Sequence, residues 1–183
     1  MNYKTYSSEG IILARRNFGE ADRILILFTE DFGKISLIAK GARKLTSRKR
    51  GGIEIFNHIK FSAVKSRGID ILTEVQVVYS PDGVKNDLRK ISIGYYFCEV
   101  VGKITSDEEK HLQVFELLHG YFEKLEISKN LKRLRLEFVN EILIEIGFWP
   151  KGKKMDNPDL VLESVMERKL NSSRVGRKML QKD

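Results

Sequence analysis

The 183-residue sequence predicts an α+β chain with β first and α second: a five-stranded barrel followed by an all-helical part. Three observations predict it. Short β-branched runs separated by turn residues fill the stretch from Ser8 to Tyr79. The apolar period changes from two to about 3.6 after Ser80-Pro81-Asp82-Gly83. A hydrophobic content of 42% suffices for a real core.

The runs expected as strands are Glu9–Arg16, Arg23–Thr29, Lys34–Lys40, Ile53–Lys65 and Ile69–Tyr79. Gly19, Gly33 and Gly68 fall between runs, where positive φ is often needed. In the fourth run Ile55, Asn57, Ile59, Phe61 and Ala63 share one face. In the fifth, Ile69, Ile71, Thr73, Val75, Val77 and Tyr79 alternate with Asp70, Glu74 and Gln76. So short a β segment avoids open edges most simply by closing into a barrel.

Three helical stripes follow: Leu88, Ile91, Tyr95, Cys98 and Val101; then Phe115, Leu118, Phe122 and Leu125; then Leu131, Leu134, Phe138, Ile142 and Ile146. Ser106 and Glu109 have capping-box spacing and predict the start of the second helix there. Gly147 and Pro150 end the third. A fourth helix is expected over residues 158–170, with Asn157 as N-cap and Pro158 in the first turn. The closing NSSRVGRKMLQKD reads as a basic tail. The domain division expected is 1–80 and 81–183.

The single cysteine, Cys98, can form neither an internal disulfide nor a cysteine cluster for a metal, and reads as a core residue. His58 falls on a strand, and His111 and His119 are eight residues apart in one helix, too far for one metal ion. No Walker loop, G-x-S-x-G or H-E-x-x-H occurs, so neither catalytic residues nor a cofactor is expected. The N-terminal MNYKTYSSEG lacks the features of a secretory signal, and a cytoplasmic, nucleoid-associated protein is expected.

The net charge of +8 favours an anionic partner, and its distribution says where. Residues 1–80 carry 14 Lys/Arg against 8 Asp/Glu, whereas residues 81–150 carry 10 against 12. Between Asp31 and Glu54, 22 residues contain no acid and seven bases: Lys34, Lys40, Arg43, Lys44, Arg48, Lys49 and Arg50. At its centre, GARKLTSRKRGG, glycines 41, 51 and 52 bracket the last five of these bases, and the residues among them are too small or polar for a core. This central segment therefore reads as a mobile basic loop between the third and fourth strands. Like charges gathered in one loop repel, and a polyanion offsets that cost. If five to seven of them met phosphates of a single strand, log K would fall against log salt with a slope of about −3.5 to −5. Phe28 and Phe61 read as core, and Phe18, Phe32 and Phe56 are the aromatics left for a surface where bases could stack, with core or rim packing the favoured role for each.

The run GIILARRNFGEADRILILFTEDFGKISLIAKGARKLTSRKRGG, with the later ILTEV, resembles the bacterial recombination mediator family RecO. In particular, FGE-x-D-R, LFT-x-x-x-GK and AKGARK-x-x-SR occur in that order. The resemblance implies an oligonucleotide-binding (OB) barrel before a helical domain. It implies a protein of recombinational repair that binds single- and double-stranded DNA, anneals complementary strands and assists RecA loading on strands coated by single-stranded DNA-binding protein (SSB). The partners implied are RecR and the SSB C-terminal tail. By position in the matching motifs, Arg15, Arg16, Arg23, Lys34, Lys40, Arg43, Lys44 and Arg48 would face DNA, and Lys49 and Arg50 join them as bases of the same loop. Lys132, Arg133 and Arg135 on the third long helix are the candidates for the SSB tail. Many relatives carry a four-cysteine zinc site after that helix; GFWPKGKKMDNPD has no cysteine, so no metal is expected, and the helical domain is expected to be shortened. A protein-interaction adaptor and an RNA-binding barrel remain the alternatives.

Overall fold

A computed structural model describes residues 4–166. The basic tail and the expected helical residues 167–170 lie outside them. Five strands, β1 (Thr5–Phe18), β2 (Asp22–Thr29), β3 (Gly33–Ala39), β4 (His58–Val64) and β5 (Asp70–Tyr79), close into a barrel in the order β1-β2-β3-β5-β4. Neighbours are antiparallel except β3 and β5, which pair in parallel. This is the five-stranded OB-type barrel followed by helices: α1 (Asp82–Lys85), α2 (Leu88–Ile104), α3 (Leu112–Ile127), α4 (Leu131–Glu145) and α5 (Pro158–Val165).

The chain forms two compact units. Among the described residues, the first holds 4–80 together with 105–115, and the second holds 81–104 with 116–166. In the first, Ile12, Leu25, Leu27, Leu37, Ile59, Phe61, Ala63 and Leu72 fill the barrel. Alternation places them there, because inward and outward side chains succeed each other along each strand. In the second, Phe97, Tyr121 and Phe138 form an aromatic centre, with Phe97 and Phe138 ring centroids 4.1 Å apart. Asn157 caps α5 by accepting from the Leu160 amide. Gly147, at φ +80°, ends α4: its amide reaches the Ile144 carbonyl and that of Phe148 the Leu143 carbonyl.

Four expectations are corrected. The face expected for β5 does not persist along the strand: Leu72 is fully buried while Thr73 and Val77 are exposed. Register explains it, since Ser62 pairs with Glu74 and Ala63 with Leu72; the bulge leaves Thr73 unopposed and switches which parity faces inward. The fourth run is strand only from His58, and Asn57, just ahead of it, is buried with its side-chain amide donating to the Gly52 carbonyl at 3.1 Å. The α2 stripe is rotated: Ile93, Tyr96, Phe97, Val100 and Val101 are buried, whereas Leu88 and Tyr95 are exposed. Finally, Ser106 and Glu109 do not start a helix. Asp107 bridges to Lys34, the Glu108 amide donates to the Lys34 carbonyl at 3.1 Å, and α3 begins at Leu112, which leaves His111 just outside it. Pairing with β3 and the positive φ of Glu108, +58°, keep this segment out of the right-handed helical conformation that a capping box requires.

Candidate nucleic-acid interface

One end of the barrel collects the bases. Arg23 lies in a row with Asn17 of β1 and Ala39 of β3, Arg16 pairs with Ile24, and Arg15 with Leu25; Lys40 follows β3 directly. The β1–β2 turn is stitched to the segment after β3. The Gly41 amide donates to the Asp22 carboxylate at 2.7 Å, the Arg43 amide to the Ala21 carbonyl at 2.8 Å, and an Arg43 guanidinium nitrogen to the Gly19 carbonyl at 3.2 Å.

Residues 40–57 are not an unstructured loop. Successive turns run through them, with amide-to-carbonyl bonds Lys44 to Gly41, Ser47 to Lys44 and Gly52 to Lys49. Ala42 and Ile53 are fully buried in the barrel core. The segment therefore does contribute to the core, contrary to its composition, because two small-to-medium apolar residues at its ends suffice to anchor it. Gly52 comes so close to Val75 that a Cβ there would meet the valine methyls at 3.2 Å. Arg43, Lys44, Arg48 and Arg50 project outward and are exposed, as are Arg16 and Lys40.

Two expected DNA contacts are committed elsewhere. Lys34 stands at the far end of β3, opposite Phe28, about 20 Å of strand from Lys40. Its ammonium donates to the Thr105 carbonyl at 2.9 Å and pairs with Asp107 at 3.1 Å. Lys49 turns inward: it donates to the Leu72 carbonyl at 2.7 Å, and burial lowers its pKa. Both bonds serve the packing of the first unit.

Arg15 and Arg23 form the inner part of the basic end. Both are mostly buried and both face the Glu54 carboxylate, Arg15 in a direct ion pair and Arg23 at 3.8 Å. One terminal nitrogen of Arg23 is buried without a hydrogen-bond partner. The Arg23 pKa is lowered by burial and by the like charges of Arg15, Arg43 and Arg50, against the opposing pull of Glu54. Four arginines distant in sequence thus share one field. Counting bases along the sequence passes over Glu54, although it is the first acid after the acid-free run; that position was the signal.

The aromatics divide largely as expected, into core and rim. Phe28 and Phe61 are core, and Phe56 joins them at 3% exposure. Phe32 stands edge-on to Tyr6, with ring centroids 5.0 Å apart. Phe18, at 49% exposure, is open at the end of β1, on the same end of the barrel as Arg23.

In the second unit the three bases expected to hold a peptide tail do not act together. Lys132 and Arg133 are exposed, with Arg133 bound to Glu137 at 2.7 Å one turn on. Arg135 is instead buried, gripping both Asp159 oxygens at 2.5 and 2.7 Å and donating to the Tyr96 hydroxyl at 3.2 Å. Burial opposes its charge, but Asp159 and Tyr96 outweigh it and its pKa is raised. An arginine so placed locks α5 to α4 and is withdrawn from the surface.

Among the described residues no cluster of three or more His, Cys, Asp or Glu side chains is placed to hold a metal ion. His58 shares a hydrogen bond with Glu9 at 2.8 Å, and Cys98 is buried, which pushes its thiol pKa up. No helix of the described residues is long and apolar enough to cross a membrane.

Comparison with known proteins agrees with this architecture. Residues 1–81 match the family described as "Recombination protein O N terminal" and residues 85–154 the one described as "Recombination protein O C terminal". Proteins named "DNA repair protein RecO" are among the similar ones. The one from Gloeothece citriformis is 35% identical over 67% of this chain and 44% of its own length. That from a Roseiflexus species is 29% identical over 82% and 53%, and one from Dehalococcoides mccartyi 29% identical over 88% and 64%. The chain spans about half the length of the first of these relatives. With the N- and C-terminal regions matched in order, and the barrel-then-helix architecture in place, the chain belongs to the RecO family.

Proposed function

We propose that the barrel unit binds DNA in recombinational repair through the end that carries Arg15, Arg16, Arg23, Lys40, Arg43, Lys44, Arg48 and Arg50. The observation that carries this reading is the gathering of Arg15, Arg43 and Arg50 about Arg23, with Glu54 as the acid placed against Arg15 and Arg23. Mutual repulsion among these groups is relieved by a phosphate backbone, and such contacts position a strand without reading its sequence. Phe18 at the rim offers one ring for base stacking.

Membership of the RecO family supports the wider role. In it, the protein anneals complementary strands and assists RecA loading on SSB-coated strands, with RecR and the SSB tail as partners. For the tail, Lys132 and Arg133 remain the proposed contacts on α4. No catalytic step is part of this function.

The test is titration of a fluorescent single-stranded oligonucleotide at several salt concentrations. Four to six phosphate contacts give a slope of log K on log salt of about −3 to −4. A flat, weak response overturns the reading. RNA of the same sequence competing better than DNA would move the function to RNA, since only a reader of the 2′-hydroxyl prefers it. Annealing of SSB-coated complementary strands tests the wider role.

A further inference from the structure

Within that DNA-binding reading, on which this inference rests, Glu54 has a part of its own. We propose that the Glu54 carboxylate occupies the place of one backbone phosphate, between Arg15 and Arg23, and that a bound strand displaces it.

The geometry is that of an anion subsite already filled by the protein. Glu54 Oε1 contacts Arg15 Nη1 and lies 3.8 Å from Arg23 Nη1, so two guanidinium groups from neighbouring strands converge on one oxygen. Yet the fit is incomplete. Arg23 Nη1 is buried and has no acceptor at hydrogen-bonding distance, a costly condition for a charged donor. A carboxylate offers two oxygens in one plane and a single charge. A phosphodiester carries its charge on two oxygens in tetrahedral array and brings further negative charge along the strand, for which Arg43 and Arg50 stand ready. Glu54 is 39% exposed, its flanking residues 51–55 belong to a turn rather than a strand, and its side chain can swing to water.

Two consequences follow from such a competitor. The unbound protein keeps the charge of its two innermost arginines partly offset. A polyanion must then displace an intramolecular carboxylate, which raises the contrast between a multiply charged strand and isolated small anions.

The experiment compares Glu54→Gln with Glu74→Gln, which removes the same charge from an exposed position on β5. Each variant is titrated with a fluorescent single-stranded oligonucleotide across a salt series, after a thermal melt confirms folding. Glu54→Gln is expected to bind at least about threefold more tightly than Glu74→Gln near 0.1 M salt, with a similar salt slope, because the bound strand meets the same phosphates in both proteins. In an Arg15→Ala, Arg23→Ala background the gain should vanish, because the glutamate acts through those two side chains. If Glu54→Gln does not fold, Glu54→Asp, which keeps the charge but shortens its reach, should show the same direction. Equal affinities for the two glutamine variants, or a gain that survives loss of both arginines, overturns the proposal while leaving the DNA-binding reading intact. A wild-type protein that binds no oligonucleotide removes both.

Discussion

Lys49 donates its ammonium to the backbone carbonyl of Leu72 at 2.7 Å, so one of the bases in the acid-free run is a structural clamp. β3 pairs with β5 only through Leu37 with Asp70 and Ile38 with Ile71, so the Leu72 carbonyl lies just past the end of that ladder. Replacing Lys49 by Ala should therefore lower the stability of the barrel unit by about 1–2 kcal/mol, the cost of a lost charge-assisted bond and an unsatisfied carbonyl. Oligonucleotide affinity per remaining folded molecule should change less than for Arg50→Ala. Urea denaturation and binding titration of the two variants give the comparison.

The outward bases should behave in the opposite way. Simultaneous replacement of Arg43, Lys44, Arg48 and Arg50 by Ala is expected to reduce DNA affinity at least about tenfold and to flatten the salt slope by about 0.7 for each phosphate no longer neutralised. The melting temperature should barely move, because these side chains are exposed. Unchanged annealing by this variant would place the DNA surface elsewhere.

Arg135 and Asp159 predict an asymmetry. Their side chains are 9% and 25% exposed, so Asp159→Ala strands a buried guanidinium, whereas Arg135→Ala leaves a carboxylate that water can reach. Breaking a buried pair costs about 3 kcal/mol, and the aspartate substitution should sit at or above that figure with the arginine substitution below it. Lys132→Ala should be within about 0.5 kcal/mol of wild type. Chemical denaturation of the three variants ranks them.

Asp70 sets an acid limit. Burial alone would raise its pKa, but the Ser66 amide, the Tyr6 hydroxyl at 2.8 Å and the Lys65 ammonium at 3.0 Å outweigh that, and the folded value is lowered. A depressed carboxylate contributes stability that is present above its unfolded pKa of about 3.9 and is lost as pH falls through the folded value. Asp70→Asn should destabilise the protein at pH 7 and flatten the stability profile below about pH 4. Thermal melts of both proteins between pH 7 and pH 3 show whether the curves converge in acid.

Local pattern carried much of this architecture. Alternating β-branched runs read as strands in β1, β2 and β3 within a few residues, since alternation and turn glycines act over neighbouring positions. The α3 stripe of Phe115, Leu118, Phe122 and Leu125 is buried as its spacing predicts, and Asn157 caps α5 through its own side chain. The concentration of arginine and lysine before Glu54 was equally plain, because charge is counted directly from composition.

What the tertiary structure decided was which way those groups face and which of them are spent. The Thr73 bulge reverses the parity of β5, and no property of Thr73 itself announces a register shift against β4. Lys34 and Lys49 look like their neighbours in the sequence, yet a carbonyl at Thr105 and one at Leu72 claim them. Arg135 is claimed by Asp159, 24 residues away. A side chain's partners depend on through-space proximity, which periodicity within one element does not encode; composition determined that this chain carries a basic surface, and only barrel closure determined that Arg15, Arg23, Arg43 and Arg50 share it.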